Sequence, residues 1–392
     1  MIDPLSRDAI VALAQELIRI PSVSGDEQAI MSWVQGWAAQ NGIDCQIIAT
    51  DPVRPNLILS VGNSDSGPVL CMNGHLDTVP VSDPDSWRTG PFAAAISEDA
   101  TKLTGRGASD MKASVAVMLS TLLEFRDKPL AGLLQGHIVS DEELSGAVGT
   151  IAVIEAIKNG TLVRPDWCLI GEKSDLKVRN AERGILAVEV IVHGRASHTA
   201  AARVTGINAI MLAAKAIIAL ENDLDRFHPS VGKPVISINM ISAGVAHNVV
   251  PGECRFSIDR RLIPGETRES VVAEIEAILQ DLTRDEPRFR YTLVIDPSGD
   301  FIPANITAEK SRLVQTMNAA VRTVLKREPE YFVQWAGATD GRYYRQIGID
   351  TVGFGPGGEG AHGANEAVLI DDLVAQANVY RETVQQLLGV AQ

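Results

Sequence analysis

Four short apolar runs in this chain each lead to a residue that seeks metal ions, and no other feature restricts the fold as strongly. Val69 to Gly74 leads into His75-Leu76-Asp77, and Gly136 to Ser140 into Asp141-Glu142-Glu143. Trp167 to Gly171 leads into Glu172, and Thr351 to Gly355 leads through a glycine-rich loop to His362. Such runs read as buried strands of an α/β sheet. Ligands of open α/β sheets gather beyond the carboxyl ends of the strands. A fifth candidate, Asp110, follows Gly105-Arg106-Gly107-Ala108-Ser109 and precedes a helix rich in Ala, Val, Met and Leu. Two imidazoles and several carboxylates at one edge describe a divalent-metal site.

The rest of the chain narrows the class. Its 392 residues suggest two domains, and an apolar content of 45% supports a sizeable core. A formal charge of −14, without clustered Lys and Arg, argues against a nucleic-acid partner. Cys45, Cys71, Cys168 and Cys254 lie far apart with no CxxC spacing, as expected of buried free thiols in a reducing compartment. Met1 to Asp8 shows no basic-then-apolar leader, and no stretch approaches the ~18 apolar residues of a membrane span. A cytoplasmic location without a membrane partner is the expectation.

Ser6 is a candidate N-cap for a first helix carrying Ile10, Leu13, Ala14 and Leu17 at helical spacing, and Glu27 to Ala39 reads as a second helix. Strand and helix signals then alternate to about Val178. From Ile185 the pattern changes to four strand signals, near 186–192, 235–241, 255–259 and 291–295, and two helix signals, near 206–222 and 269–282. This is an inserted α+β unit, ending before a helix that should begin near Thr307. Metal candidates lie on both sides of the insert, so the domain that holds them must be discontinuous.

Each signal has a bland alternative. His75 and Asp77, one residue apart, allow a carboxylate to orient a ligating imidazole, or are a surface His beside a capping Asp. Glu142 and Glu143 can divide the work, one ligating and one accepting a proton from water, or form a solvated acidic turn. Asp110 is a shared carboxylate or an N-cap. Together, however, they supply ligands suited to zinc, cobalt or manganese in a two-metal site rather than a cysteine-based structural one.

With these motifs the chain resembles the acetylornithine deacetylase and succinyl-diaminopimelate desuccinylase family, a branch of the two-metal aminoacylases and exopeptidases. The resemblance rests on Gly74-His75-Leu76-Asp77-Thr78-Val79-Pro80, Gly105 to Lys112, Asp141-Glu142-Glu143, Gly171-Glu172, Asn248-Val249-Val250-Pro251-Gly252, and His362 with Asn365-Glu366. It implies an α/β fold with a mixed-sheet, exopeptidase-like catalytic domain over 1–183 and 298–392. An inserted α+β lid and dimerisation domain would span 184–297. It further implies that His75 and Glu172 bind one divalent ion, Glu143 and His362 another, with Asp110 bridging and the Asp110-Met111 peptide cis. Zinc is the leading metal, with cobalt or manganese as alternatives. Asp77 would orient His75, Glu142 would be the general base, and His198, in Gly194-Arg195-Ala196-Ser197-His198, would stabilise the oxyanion, often from a partner subunit. Asn248, Arg261 and Arg183 would hold the substrate's carboxylate.

The implied activity is hydrolysis of the amide bond of an N-acyl amino acid or related small amide by a metal-activated water, in a homodimer that takes a small-molecule substrate. A dipeptidase or carboxypeptidase, a hydrolase of a specialised metabolite, and a catalytically silent metal-binding relative are the alternatives. Departures at Ala338, and at Thr199-Ala200-Ala201-Ala202-Arg203 after His198, leave the acyl group open.

Overall fold

The apolar runs become the parallel core of a six-stranded mixed sheet. In the computed structural model, which describes residues 3–295, 301–333 and 337–389, the strand order is Asp44–Ile48, Asn56–Gly62, Leu133–Val139, Val69–His75, Trp167–Ile170, Asp350–Gly353. The last four run parallel, whereas the first two are antiparallel additions at one edge. The carboxyl ends of the parallel strands therefore point to one side. His75 pairs with Val139 at the ladder's end, and Asp141, Glu172 and the loop to His362 follow directly.

Helices cover both faces of this sheet. On one side pack Arg7–Arg19, Gln28–Gln40, Ala113–Phe125, Arg312–Leu325 and Ile370–Leu388, on the other Thr150–Lys158 and Gly341–Gln346. Ser6 caps the first helix by accepting from the Ala9 N–H. Ala113–Phe125 is apolar on nearly every side and buried to match. Two glycines let it sit close to the sheet. A Cβ on Gly74 would meet Met111 and Val115 at 2.8 and 2.9 Å, and one on Gly171 would meet Met118 and Ser114 at 2.3 and 2.4 Å. The residues before His75 and Glu172 must therefore lack a side chain. The helix expected near Thr307 starts at Arg312 behind the N-cap Ser311. Thr307 is instead an extended link whose hydroxyl joins both main-chain groups of Thr351.

The chain forms two compact units, one of 1–180, 307–335 and 339–392, the other of 181–306 with 336–338. The boundary expected at 297/298 lies outside the described residues. The second unit contains an antiparallel sheet in the order Val235–Ala243, Glu253–Leu262, Gly184–His193, Arg290–Val294, with Phe301–Ile302 also pairing with Gly184–His193. Gly184–His193 alternates buried and half-buried positions, as a strand with one covered face should. Ala209–Leu220 and Arg268–Asp285 pack on that face around Leu186, Val190, Phe256 and Ile275. Among the described residues, no helix is long and apolar enough to cross a membrane. All four cysteines are free, and Cys71, Cys168 and Cys254 are buried.

Candidate metal centre

The first unit brings His75, Asp110, Glu142, Glu143, Glu172 and His362 together. His75 Nε2 lies 3.1 Å from Asp110 Oδ1 and 3.3 Å from Glu172 Oε1. His362 Nε2 lies 3.2 Å from Asp110 Oδ2 and 3.0 Å from Glu143 Oε2. Each Asp110 oxygen thus faces a different imidazole. Two sets of donor atoms result, His75 with Glu142 and Glu172, and Asp110 with Glu143 and His362, each within 4.8 Å. The adjacent Glu142 and Glu143 belong to different sets because they sit on one tight turn, Glu142–Leu144, flanked by Asp141 and Ser145 in the left-handed conformation. The Asp110–Met111 peptide is cis.

Asp77 is fully buried and does more than face His75. His75 Nδ1 lies 3.0 Å from the Asp77 main-chain oxygen and 3.4 Å from its carboxylate. The carboxylate itself accepts the N–H of Glu142 (3.1 Å) and of Glu143 (3.2 Å), and the Ser24 hydroxyl at 2.7 Å. One side chain therefore holds the acidic turn against the strand that carries His75. Arg54 steadies the same turn from behind, with two bonds to Glu27 at 2.7 and 2.8 Å and one to Asp141 at 2.5 Å. Sequence reasoning passed over Ser24, Arg54 and Glu27. Ser24 carries no local sign of this contact, and nothing local marks an Arg whose partners lie 27 and 87 positions away.

The electrostatics of this cluster call for cations. Burial, the largest influence, pushes Glu142 well above the usual carboxylate range, and nearby acids including Asp340, Glu172 and Asp110 add to it. Burial likewise lifts Glu143 to about 7. His75 is raised well above 6.5 because bonds to Asp110, Asp77 and Glu172 outweigh its burial, and His362 is raised to about 9, chiefly by Asp110. The imidazoles are thus called on to serve as the cations in a nest of carboxylates. Such a donor set of imidazole nitrogens and carboxylate oxygens fits two divalent ions, which would supply the positive charge and leave the imidazoles free to ligate.

The remaining candidates lie in the second unit. His198 is exposed, and its Nδ1 accepts the Ala200 N–H at 3.2 Å, which leaves the ring proton on Nε2. Asn248 is exposed on the neighbouring segment, and its carbonyl accepts the Thr199 N–H. The two-pronged face of Arg261 grips Asp259, Nε to Oδ1 at 2.7 Å and Nη2 to Oδ2 at 3.0 Å. Buried Arg183 donates twice to the Val231 carbonyl. Both arginines therefore already hold acceptors of the chain itself.

The model of peptidase family M20/M25/M40 matches residues 71–386. A succinyl-diaminopimelate desuccinylase of Marinobacter nauticus is 31% identical, over 98% of this chain and 100% of that protein. One of Ectopseudomonas mendocina is also 31% identical, over 96% and 97%. Among solved structures, a tripeptidase of Staphylococcus aureus superposes with a TM-score of 0.78 at 21% identity, covering 97% of this chain and 98% of that one. A Bacillus subtilis protein described as a dinuclear metal-binding peptidase of the M20 family gives 0.72 at 18% identity, covering 98% and 99%.

Proposed function

The chain belongs to peptidase family M20/M25/M40 and is a metal-dependent amidohydrolase; we propose that it is a deacylase, releasing a carboxylic acid and a free amine from an N-acyl amino acid or related small amide. The observation that carries this reading is the Asp110 carboxylate set between the imidazoles of His75 and His362, with Glu172 and Glu143 beyond them. In this reading His75 and Glu172 would hold one divalent ion and Glu143 and His362 the other, with the Asp110 carboxylate shared between the two sets. Zinc suits the mixed nitrogen and oxygen set best, with cobalt and manganese next. Bound there, the ions would supply Lewis acidity toward the scissile carbonyl and toward water.

The protein's own groups do the rest. Glu142, made a stronger base by its burial, acts as the carboxylate, taking a proton from the attacking water and returning it to the leaving amine. Asp77 fixes Glu142 through its main-chain N–H and faces the imidazole of His75. His198, with its proton on Nε2, donates to the oxyanion. Asn248, Arg261 and Arg183 select the substrate's carboxylate, which must compete with Asp259 for the fork of Arg261.

The second unit serves as the lid and dimerisation domain expected over 184–297, and the first as the catalytic domain expected over 1–183 and 298–392. Its edge strand Val235–Ala243 leaves Met240 and Ile241 exposed, and Ile218 on the Ala209–Leu220 helix of the same unit is also exposed. Among the described residues that edge pairs with no further strand, which makes it a template for a second chain, so a homodimer is the assembly that suits it, and a cytoplasmic location fits the free cysteines. The resemblance to desuccinylases over nearly the whole chain favours acyl amino acids over dipeptides. The test is Glu142→Gln with a panel of N-acyl amino acids and dipeptides. The variant should fold, bind metal and lose at least ~100-fold in turnover. Wild-type turnover in the variant rejects the base, and dipeptides outrunning every acyl amino acid rejects the deacylase.

A further inference from the structure

Glu366 closes the His362 loop, and the reaction described above gives it no part. It is 1% exposed, yet its carboxylate is fully occupied by the loop that carries Asp110. Oε1 accepts the N–H groups of Ser109 at 2.8 Å and Asp110 at 3.0 Å. Oε2 accepts the Gly107 N–H at 3.0 Å and Arg106 Nη1 at 2.7 Å. The Glu366 carbonyl also accepts the Gly105 N–H at 2.9 Å.

Arg106, 2% exposed, completes the arrangement. Its Nη2 donates to the His362 carbonyl at 3.3 Å, and its guanidinium lies 5.6 Å from the centre of the Trp87 ring. A single ion pair thus touches the main chain of two candidate ligands that lie far apart in sequence. On one side it holds the segment 105–110, and on the other it holds His362 in the loop that follows Gly355. A pair needed only for cohesion could sit anywhere in the core, and replacing a buried pair by apolar groups is often neutral. This one bonds to the peptide N–H of Asp110 itself, whose carboxylate faces both imidazoles.

We propose that Glu366, through Arg106, is a positioning residue that sets the spacing of Asp110 and His362 and thereby the affinity of the centre for its second ion. The inference rests on the two-ion reading given above. Outer partners of metal ligands commonly govern affinity by about 10–100-fold, and the ion beside His362 should feel the change most, because both Asp110 and His362 are held there.

The experiment titrates chelator-treated full-length protein with Zn2+ by calorimetry and with Co2+ by visible absorption. Glu366→Gln removes the charge and one of the two accepting edges. Arg106→Lys keeps a cation for Glu366 but cannot also span to the His362 carbonyl. Wild type should take up two ions. Both variants should hold the first within about threefold of wild type and the second about 10–100-fold more weakly. High Zn2+ should return much of the lost turnover to Arg106→Lys. A purely cohesive role would lower the melting temperature of the metal-free protein and leave the second affinity unchanged. Folded variants with second-ion affinity within about threefold of wild type overturn the proposal. Should Glu366→Gln fail to fold, Arg106→Lys decides by the same criterion. Wild type that binds no ion refutes the metal centre itself, a separate outcome.

Discussion

Asp77→Asn is the sharpest test of how the centre is organised. The Asp77 carboxylate accepts three hydrogen bonds, from the main-chain N–H groups of Glu142 and Glu143 and from Ser24, in a place closed to solvent. An amide keeps one acceptor, which can serve the Glu142 N–H. Its NH2 can donate to Ser24 but must face the Glu143 N–H, which loses its partner. A buried donor left unsatisfied costs about 1–3 kcal/mol. The two surviving bonds lose their charge, at about 1 kcal/mol each. The sum is about 3–5 kcal/mol, and all of it except the ~1 kcal/mol of the Ser24 bond falls on the turn that carries Glu142 and Glu143. If about 3–4 kcal/mol of it is felt in the transition state, kcat/KM drops by about 100- to 1,000-fold. Steady-state hydrolysis of the best N-acyl amino acid, with metal content measured on the same samples, gives the number. Ser24→Ala, which removes one bond to the carboxylate, should fall between the variant and wild type. A folded Asp77→Asn protein with kcat/KM within about threefold of wild type would show that the turn needs no such anchor.

Two further outcomes follow from other parts of the molecule. Met240→Lys places a charge on the exposed edge strand Val235–Ala243, where paired chains would bury it. Sedimentation should show wild-type dimers becoming monomers, and an unchanged dimer would move the interface elsewhere. Asp340 is buried and retains its proton up to about 6 against an ordinary 3.8, because burial outweighs its bond from Thr150 and the nearby Arg342. Between those values the folded chain binds more protons than the unfolded chain, so stability falls as pH rises from about 4 to about 6, by roughly 3 kcal/mol from this group. Asp340→Asn keeps an acceptor for Thr150 and should remove that part of the slope in urea melts of metal-free protein. An unaltered slope would assign it to other groups.

The sheet was legible because its parallel strands are buried on both faces and so appear as unbroken apolar runs. For the same reason the strand ends, and with them His75, Glu142 and Glu172, could be placed on one edge. Strand order was not legible, since nothing in Trp167–Ile170 says that it lies beside Val69–His75 rather than Leu133–Val139. Gly74 and Gly171 read as parts of apolar runs, although their lack of a side chain admits the Ala113–Phe125 helix. The Asp77 carboxylate was expected to serve His75, whereas the main-chain oxygen lies nearer the ring and the carboxylate holds the N–H groups of Glu142 and Glu143. Long-range pairs such as Glu366 with Arg106, or Arg54 with Glu27 and Asp141, leave no local periodicity. They became visible only once the chain was folded.

The interrupted layout of the first unit bears on how the protein is made. His75, Asp110, Glu143 and Glu172 precede the insert, while His362 and the Asp350–Gly353 strand follow it. During translation, early segments leave the ribosome and begin to fold first. The nascent polypeptide therefore emerges with an acidic cleft lacking one imidazole and the outermost parallel strand. Hydrolytic competence is withheld until the segment that carries His362 has been made.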